Sequence, residues 1–280
     1  MRRSLRPCAS LLSDGHHLLA IAQVLRLAGL AGEGRTIVEM GAGDGALSRA
    51  LQHARSAGAF LLVDRSKQRM NCARAAGESA PMQQLCTDVA ALRPEVLREA
   101  VPSEAVMVCN HLCGAALDAA IRCSLEAWVD AAAEGEAASE AAARGGLVGI
   151  VAVTCCHHST QDDTFLGTDF LYGVCGLSAD EVRQTRKWSV MAPQRERPAA
   201  SRPRVLEAAR LLGVSPVEAS ELGTCCRRLI DTARAKALER LGFTVALVHH
   251  VPFELTADNV MLLAMRSGRL AGAADTHEIL

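Results

Sequence analysis

Along the chain, stretches in which apolar residues recur every three or four positions alternate with short, nearly unbroken apolar runs. Residues 16–30 (HHLLAIAQVLRLAGL) have the first pattern and end at Gly29 and Gly32, which predicts a helix before the first strand. In 36–40, Thr36, Ile37, Val38 and Met40 surround one acid, Glu39, and run into three alternating glycines, after which ALSRAL returns to helical spacing. This reads as strand, tight turn, helix. The run AFLLVDR (59–65) is apolar almost throughout, as a central parallel strand covered on both faces should be. A helix over 66–77 and a short third strand over 82–89, with Asp88 near its end, follow.

Residues 105–128 read as a fourth strand, an NHLCG turn and a helix; GLVGIVAVTCCHH (146–158) reads as a fifth strand. The stretch 177–191 has helical spacing, and 215–242 is a long helix with Pro216 near its start and Gly242 as its stop. Two last strands, 243–251 and 259–266, are joined by seven residues, PFELTAD, too few for a parallel crossover, so this pair is antiparallel. The pattern predicts an α/β, Rossmann-like fold with a mostly parallel seven-stranded sheet and an antiparallel last strand. One domain over 16–268 is expected between a basic arm (1–15) and a tail (269–280). Surface segments near 130–146, rich in Ala, Glu and Gly, and 192–204, basic and with three of the nine prolines, are expected to be flexible.

The first turn carries the candidate chemistry. Gly41, Gly43 and Gly45 lack Cβ atoms, so the turn can take positive φ and let a ligand lie against the backbone with helix amides facing it. Dinucleotides and S-adenosylmethionine both use such turns. Gly41-x-Gly43 followed by Ala46, with Asp64 about 20 residues on, fits a loose dinucleotide fingerprint. Glu39 two residues before the first glycine, the G-x-G-x-G frame and the antiparallel closing pair point instead to S-adenosylmethionine and a methyltransferase. Glu39, Asp64 and Asp88 join Gly41, Gly43 and Gly45 as cofactor-binding candidates, with Asp64 placed to accept from ribose hydroxyls and Asp88 from an adenine amino group; either aspartate can instead cap the following helix, a reading of equal weight for Asp88.

Composition narrows this further. Half of the 280 residues are hydrophobic and 22% are charged, enough for a large buried core. No apolar run approaches the ~20 residues of a membrane span, so no membrane association is expected. Eleven cysteines without a CxxC suggest reduced, buried thiols and a cytoplasmic or nuclear setting. The start, MRRSLRPCASLL, has some resemblance to a mitochondrial transit peptide and equally reads as a basic arm touching nucleic acid. Net charge is −1, yet residues 183–240 hold 13 Lys and Arg against 6 Asp and Glu, a local excess of +7. Such an excess can bind a phosphate backbone or simply keep an exposed segment soluble. Arg183, Arg186, Lys187, Arg227 and Arg228 are the RNA-binding candidates.

Taken together, VEMGAGDGALS, NHLCGAALDAAIRC, GIVAVTCCHH and LGTCCRRLIDTARAKALERLGF followed by TADNVMLLAM closely resemble the eukaryotic tRNA ribose 2'-O-methyltransferases acting on the fourth nucleotide of the acceptor stem. The resemblance covers about 16–266. It implies methyl transfer from S-adenosylmethionine to a tRNA ribose hydroxyl, with Asn110 and His111 where substrate meets cofactor and His111 or His157 taking the hydroxyl proton. This chain departs from the family at Asn110, where the family shows Lys before HLCG, at Thr160, where it has a cysteine, and at Asp44, where it has a lysine in the glycine turn. The resemblance covers the catalytic domain only, so the zinc-finger modules that precede it in the family are not expected here, and an accessory protein is expected to replace them. A methyltransferase with a protein or small-molecule acceptor, and a silent scaffold binding cofactor or RNA, are the other readings.

His111, Cys113, Cys155, Cys156, His157 and His158 invite a zinc assignment. Adjacent residues on an extended strand point to opposite faces, so Cys155 and Cys156 are not expected to share one ion, and no metal is predicted.

Overall fold

The computed structural model describes residues 9–66, 80–129, 146–194 and 197–266, with side chains from residue 15 onward. The predicted helix over 66–77 and the stretch 130–146 lie almost wholly outside the described residues.

Seven strands form one sheet: β1 (Gly32–Met40), β2 (Ala57–Asp64), β3 (Met82–Cys86), β4 (Glu104–Asn110), β5 (Leu147–Val153), β6 (Phe243–His249) and β7 (Val260–Arg266), in the order β3-β2-β1-β4-β5-β7-β6. β1 through β5 pair in parallel, and β7 lies antiparallel between β5 and β6. Among the described residues the helices are α1 (Ala9–Leu27), α2 (Ala46–His53), α3 (Pro94–Ala100), α4 (Ala115–Trp128), α5 (Ala179–Trp188), α6 (Pro203–Leu212) and α7 (Pro216–Arg240). This is the fold that the sequence pattern predicts, with α3 and α6 added.

The apolar strand runs are explained by burial on both faces. Val38, Met40, Leu61, Val63, Met107 and Ile150 pack with Leu117 and Ile121 of α4 and Leu238 of α7. Their neighbours in sequence, Ile37, Leu62, Val106, Val108 and Val151, pack with Ile21 and Leu25 of α1 and Leu47 and Leu51 of α2. Successive residues alternate between two cores, so neither face leaves a polar stripe.

The described residues between 160 and 215 pack along α7 through two small cores, Phe165, Leu171, Val182, Ile230 and Ala233 in one, Met191, Val205, Ala209 and Ala219 in the other. Here the structure differs from a flexible linker over 192–204. Arg202 is 7% exposed, and its guanidinium donates to the carbonyls of Val190, Met191 (2.9 Å) and Ala192 (2.8 Å). Pro203, which reads as a breaker, is the first residue of α6, where its missing N–H costs nothing. Gly223 lets α7 pass this segment, since a Cβ there would lie 2.2 Å from the Ala192 amide nitrogen.

Candidate active site at the carboxyl edge of the sheet

The glycine turn has the expected conformation. Gly41, Gly43 and Gly45 have φ of 71°, 59° and 75°, and nothing lies within 4 Å of where a Gly43 Cβ would be, leaving its backbone open. Both aspartates hold backbone amides. Asp64 Oδ2 accepts from Gly43 N (2.9 Å) and Oδ1 from Ser66 N (2.8 Å), which ties the end of β2 to the turn. Each oxygen keeps a second lone pair for a hydroxyl donor. Asp88 accepts from Ala90 N at 2.9 Å as the cap of a short 3₁₀ turn and stays exposed. Glu39 is only 3% exposed and points into the protein: one carboxylate oxygen accepts from the backbone N of Ser48 (3.0 Å) and from its hydroxyl. Glu39 therefore braces β1 against α2 beneath the turn, and burial pushes its pKa up to about 7 against the pull of the Ser48 bonds.

The turn after β4 leans on this glycine turn. A Cβ at Gly41 would sit 2.8 Å from Leu112 Cδ1, so the NHLCG segment covers the first glycine directly. His111 has φ 58°, uncommon for a residue with a side chain, and is exposed. Its ring stacks on His17 at 5.2 Å between centroids. Asn110 meets His17 as well, Oδ1 to Nε2 at 2.6 Å, and His17 Nδ1 meets His250 Nε2 at 2.9 Å. His250 Nδ1 faces the Asn259 carbonyl (2.8 Å) and so carries the hydrogen, which makes its Nε2 the acceptor for His17. Burial holds His250 down at about 4, so it stays neutral near pH 7. His17 and His250 lie 233 residues apart and could not be paired from the sequence.

His157 has a different environment from His111. It is 3% exposed, and its Nε2 lies 2.7 Å from Asp231 Oδ2, which also accepts from Thr154 Oγ1 at 2.9 Å. Asp231 Oδ1 accepts from Arg234 Nη1 (3.0 Å), and Arg234 makes a two-pronged pair with Asp118 (2.9 and 2.8 Å). Arg234 and Asp118 are fully buried. The network clamps α4, α7 and the end of β5 together, so His157 anchors the turn after β5. The only sequence hints were the Asp231/Arg234 spacing on one helix face and a lone acid, Asp118, within ALDAAI.

The predicted RNA-binding residues do different things in the fold. Arg186 is 8% exposed, bonded to Asp162 (2.6 Å) and 5.4 Å from the Phe165 ring centroid, which removes it from any phosphate surface. Arg227 donates to Ser189 O (3.1 Å) and Asp258 (3.0 Å), and Arg183 pairs with Asp180. Lys187 and Arg228 are exposed. Arg186, Arg202 and Arg227 thus serve packing within the fold. Arg227 and Arg228 also line a cavity of about 650 Å³ with His157, His249, Phe253, Asp258 and His250, the last of which meets His17.

Among the described residues all nine cysteines are free, and Cys86, Cys113, Cys175 and Cys225 are exposed, contrary to uniformly buried thiols. No described helix is long and apolar enough to cross a membrane.

Residues 18–265 match the model of the family described as Methyltransferase TRM13. The chain belongs to that family. Among TRM13 relatives it is 28% identical over 297 residues to the mouse tRNA:m(4)X modification enzyme TRM13 homolog, covering 84% of this chain and 60% of that one. To the Kluyveromyces lactis tRNA:m(4)X modification enzyme TRM13 it is 26% identical over 219 residues, 74% of this chain and 47% of that one. The human homolog matches at 25% identity over 84% of this chain and 61% of its own length. The chain thus spans about half to three fifths of the length of these relatives. Among solved structures it is similar to the plantazolicin methyltransferase BpumL bound to a triazolic desmethylPZN analog and SAH, with 12% identity, 92% and 90% coverage and a TM-score of 0.40. Membership of a methyltransferase family on this sheet identifies the cofactor as S-adenosylmethionine rather than a dinucleotide. The open glycine backbone and the Asp64 carboxylate at the end of β2 suit its nucleoside.

Proposed function

We propose that this TRM13 chain transfers a methyl group from S-adenosylmethionine to tRNA, at a ribose 2'-hydroxyl of the acceptor stem at position 4. The observation that carries the reading is the contact of Leu112 with Gly41: it sets Asn110 and His111 beside the glycine turn, where an acceptor has to meet the cofactor. The relatives' description as tRNA:m(4)X modification enzymes supports tRNA as the acceptor class.

The cofactor supplies a methyl carbon already activated by its sulfonium, so the protein has to align an oxygen with the methyl–sulfur bond and remove one proton. Alignment is the larger share, of order several kcal/mol. Gly41, Gly43 and Asp64 hold the nucleoside end, and Glu39 keeps the turn rigid through Ser48. His111 takes the hydroxyl proton on a ring nitrogen while stacking on His17 preserves its orientation. Asn110, held by His17, presents its remaining amide group to the ribose. His157 acts at one remove by anchoring the adjoining turn. Lys187 and Arg228 contact phosphates across the shallow minor groove, which is read by shape and charge. A second protein adding tRNA affinity completes the reading, because Arg183, Arg186 and Arg227 are engaged within the chain.

The experiment is a transfer assay on unmodified tRNA with labelled S-adenosylmethionine and nucleoside mass spectrometry of the product. Label on a ribose at acceptor-stem position 4, with His111→Ala lowering turnover and leaving tRNA affinity unchanged, is expected. Label on a base, on protein or on a small molecule overturns the ribose assignment. Cofactor binding without transfer, in the presence of cell extract supplying a partner, favours the silent scaffold.

A further inference from the structure

Where the turns after β4 and β5 meet, three thiols that the proposed chemistry does not use come together. Cys113 belongs to the turn after β4, and Cys155 and Cys156 to the turn after β5. All three Sγ atoms lie within 4.8 Å of one another, and those of Cys113 and Cys155 are 3.2 Å apart. Sulfurs sharing a tetrahedral zinc ion, with bonds of about 2.3 Å, stand about 3.8 Å apart. The cluster therefore needs only small side-chain shifts to close on an ion.

The premise behind predicting no metal does not hold in the fold. β5 ends at Val153, and Cys156 has φ 43° and ψ 41°, so the chain curls and brings its sulfur to the same side as that of Cys155. Gly114, next to Cys113, keeps the two turns this close: a Cβ there would lie 2.6 Å from the Ser159 carbonyl oxygen. Burial runs from exposed Cys113 through half-buried Cys156 to buried Cys155, so the cluster opens to solvent on one side.

We propose that Cys113, Cys155 and Cys156 bind one zinc ion as thiolates, with a water or solute at the fourth position on the open side. Each thiol gives up its proton on binding, and the ion stays Zn²⁺, so no oxidant or reductant is involved. The site ties together the turns that carry His111 and His157, adding a cross-link beyond the ends of the paired strands β4 and β5, where Gly114 and Ser159 already approach closely.

The test uses the full chain, produced without a polyhistidine tag in zinc-supplemented medium, with metal content measured by mass spectrometry. Wild type should hold about one zinc per chain. Cys113→Ser, at an exposed position, should lose it while keeping its circular dichroism, whereas Cys175→Ser and Cys225→Ser should keep it. Exchange into Co²⁺ should give a thiolate charge-transfer band in wild type that is absent from Cys113→Ser. A metal-free wild type with no such band, zinc retained in both Cys113→Ser and Cys156→Ser, or a Cys113–Cys155 disulfide in peptides prepared without reductant, would each overturn the proposal. No readout involves methyl transfer, so the site stands or falls separately from the tRNA reading.

Discussion

Glu39→Gln isolates what the acid beneath the glycine turn contributes. In the fold this carboxyl is 3% exposed, and burial raises its pKa from the ordinary 4.5 to about 7 despite two bonds from Ser48. A raised carboxyl pKa means the folded state holds its proton more tightly than the unfolded chain does. The stability this gives is fully present below about pH 4.5 and is lost as pH rises to about 7. At about 1.4 kcal/mol for each tenfold change in proton affinity, the loss amounts to about 3 kcal/mol. Glutamine keeps an acceptor oxygen for Ser48 and does not titrate. The variant should therefore gain on wild type by about 3 kcal/mol between about pH 4.5 and pH 8, read as the difference of two urea unfolding series. The difference removes other titrations, such as His250, held down at about 4, whose stabilisation runs the opposite way and is lost as pH falls. A wild-type-minus-variant difference that is flat with pH would refute the reasoning and show Glu39 ionised in the fold.

Gly41→Ala meets both a φ of 71° and Leu112 at 2.8 Å, so about 1–2 kcal/mol of strain should weaken S-adenosylmethionine binding about 5- to 30-fold by calorimetry, whereas Gly43→Ala has open space around its Cβ and should lose less. Arg234→Met leaves Asp118 and Asp231 buried without their cation and should cost about 3–5 kcal/mol in urea unfolding, part of which Asp118→Leu in the same chain should restore. Arg228→Ala should lower tRNA affinity and reduce the salt slope by about 1 in filter binding, while Arg186→Ala should lower the melting temperature, since Asp162 and Phe165 hold that side chain inside.

How far each residue could be read depended on whether its role was local. Gly41, Gly43 and Gly45 declare themselves because a tight turn needs their backbone freedom at that spacing, and the strands because burial on both faces demands unbroken apolar runs. Glu39 was visible as an acid in an apolar strand, but its inward aim at Ser48 was not. Arg186 and Arg228 look alike as letters; Asp162 and Phe165, brought near by the packing of α5, separate them.

By itself the sequence determined the α/β class, the antiparallel closing pair, the glycine turn and the family resemblance, all of which rest on periodicity or on contiguous motifs. Tertiary structure alone decided that His17 and His250 support Asn110, that Asp118, Asp231 and Arg234 bury His157, and that Cys113, Cys155 and Cys156 share one corner. The physical reason is the same in each case. A hydrogen bond or a metal site depends on distances of a few ångströms between side chains, and those distances are set by how strands and helices far apart in the chain are stacked, which no local spacing records.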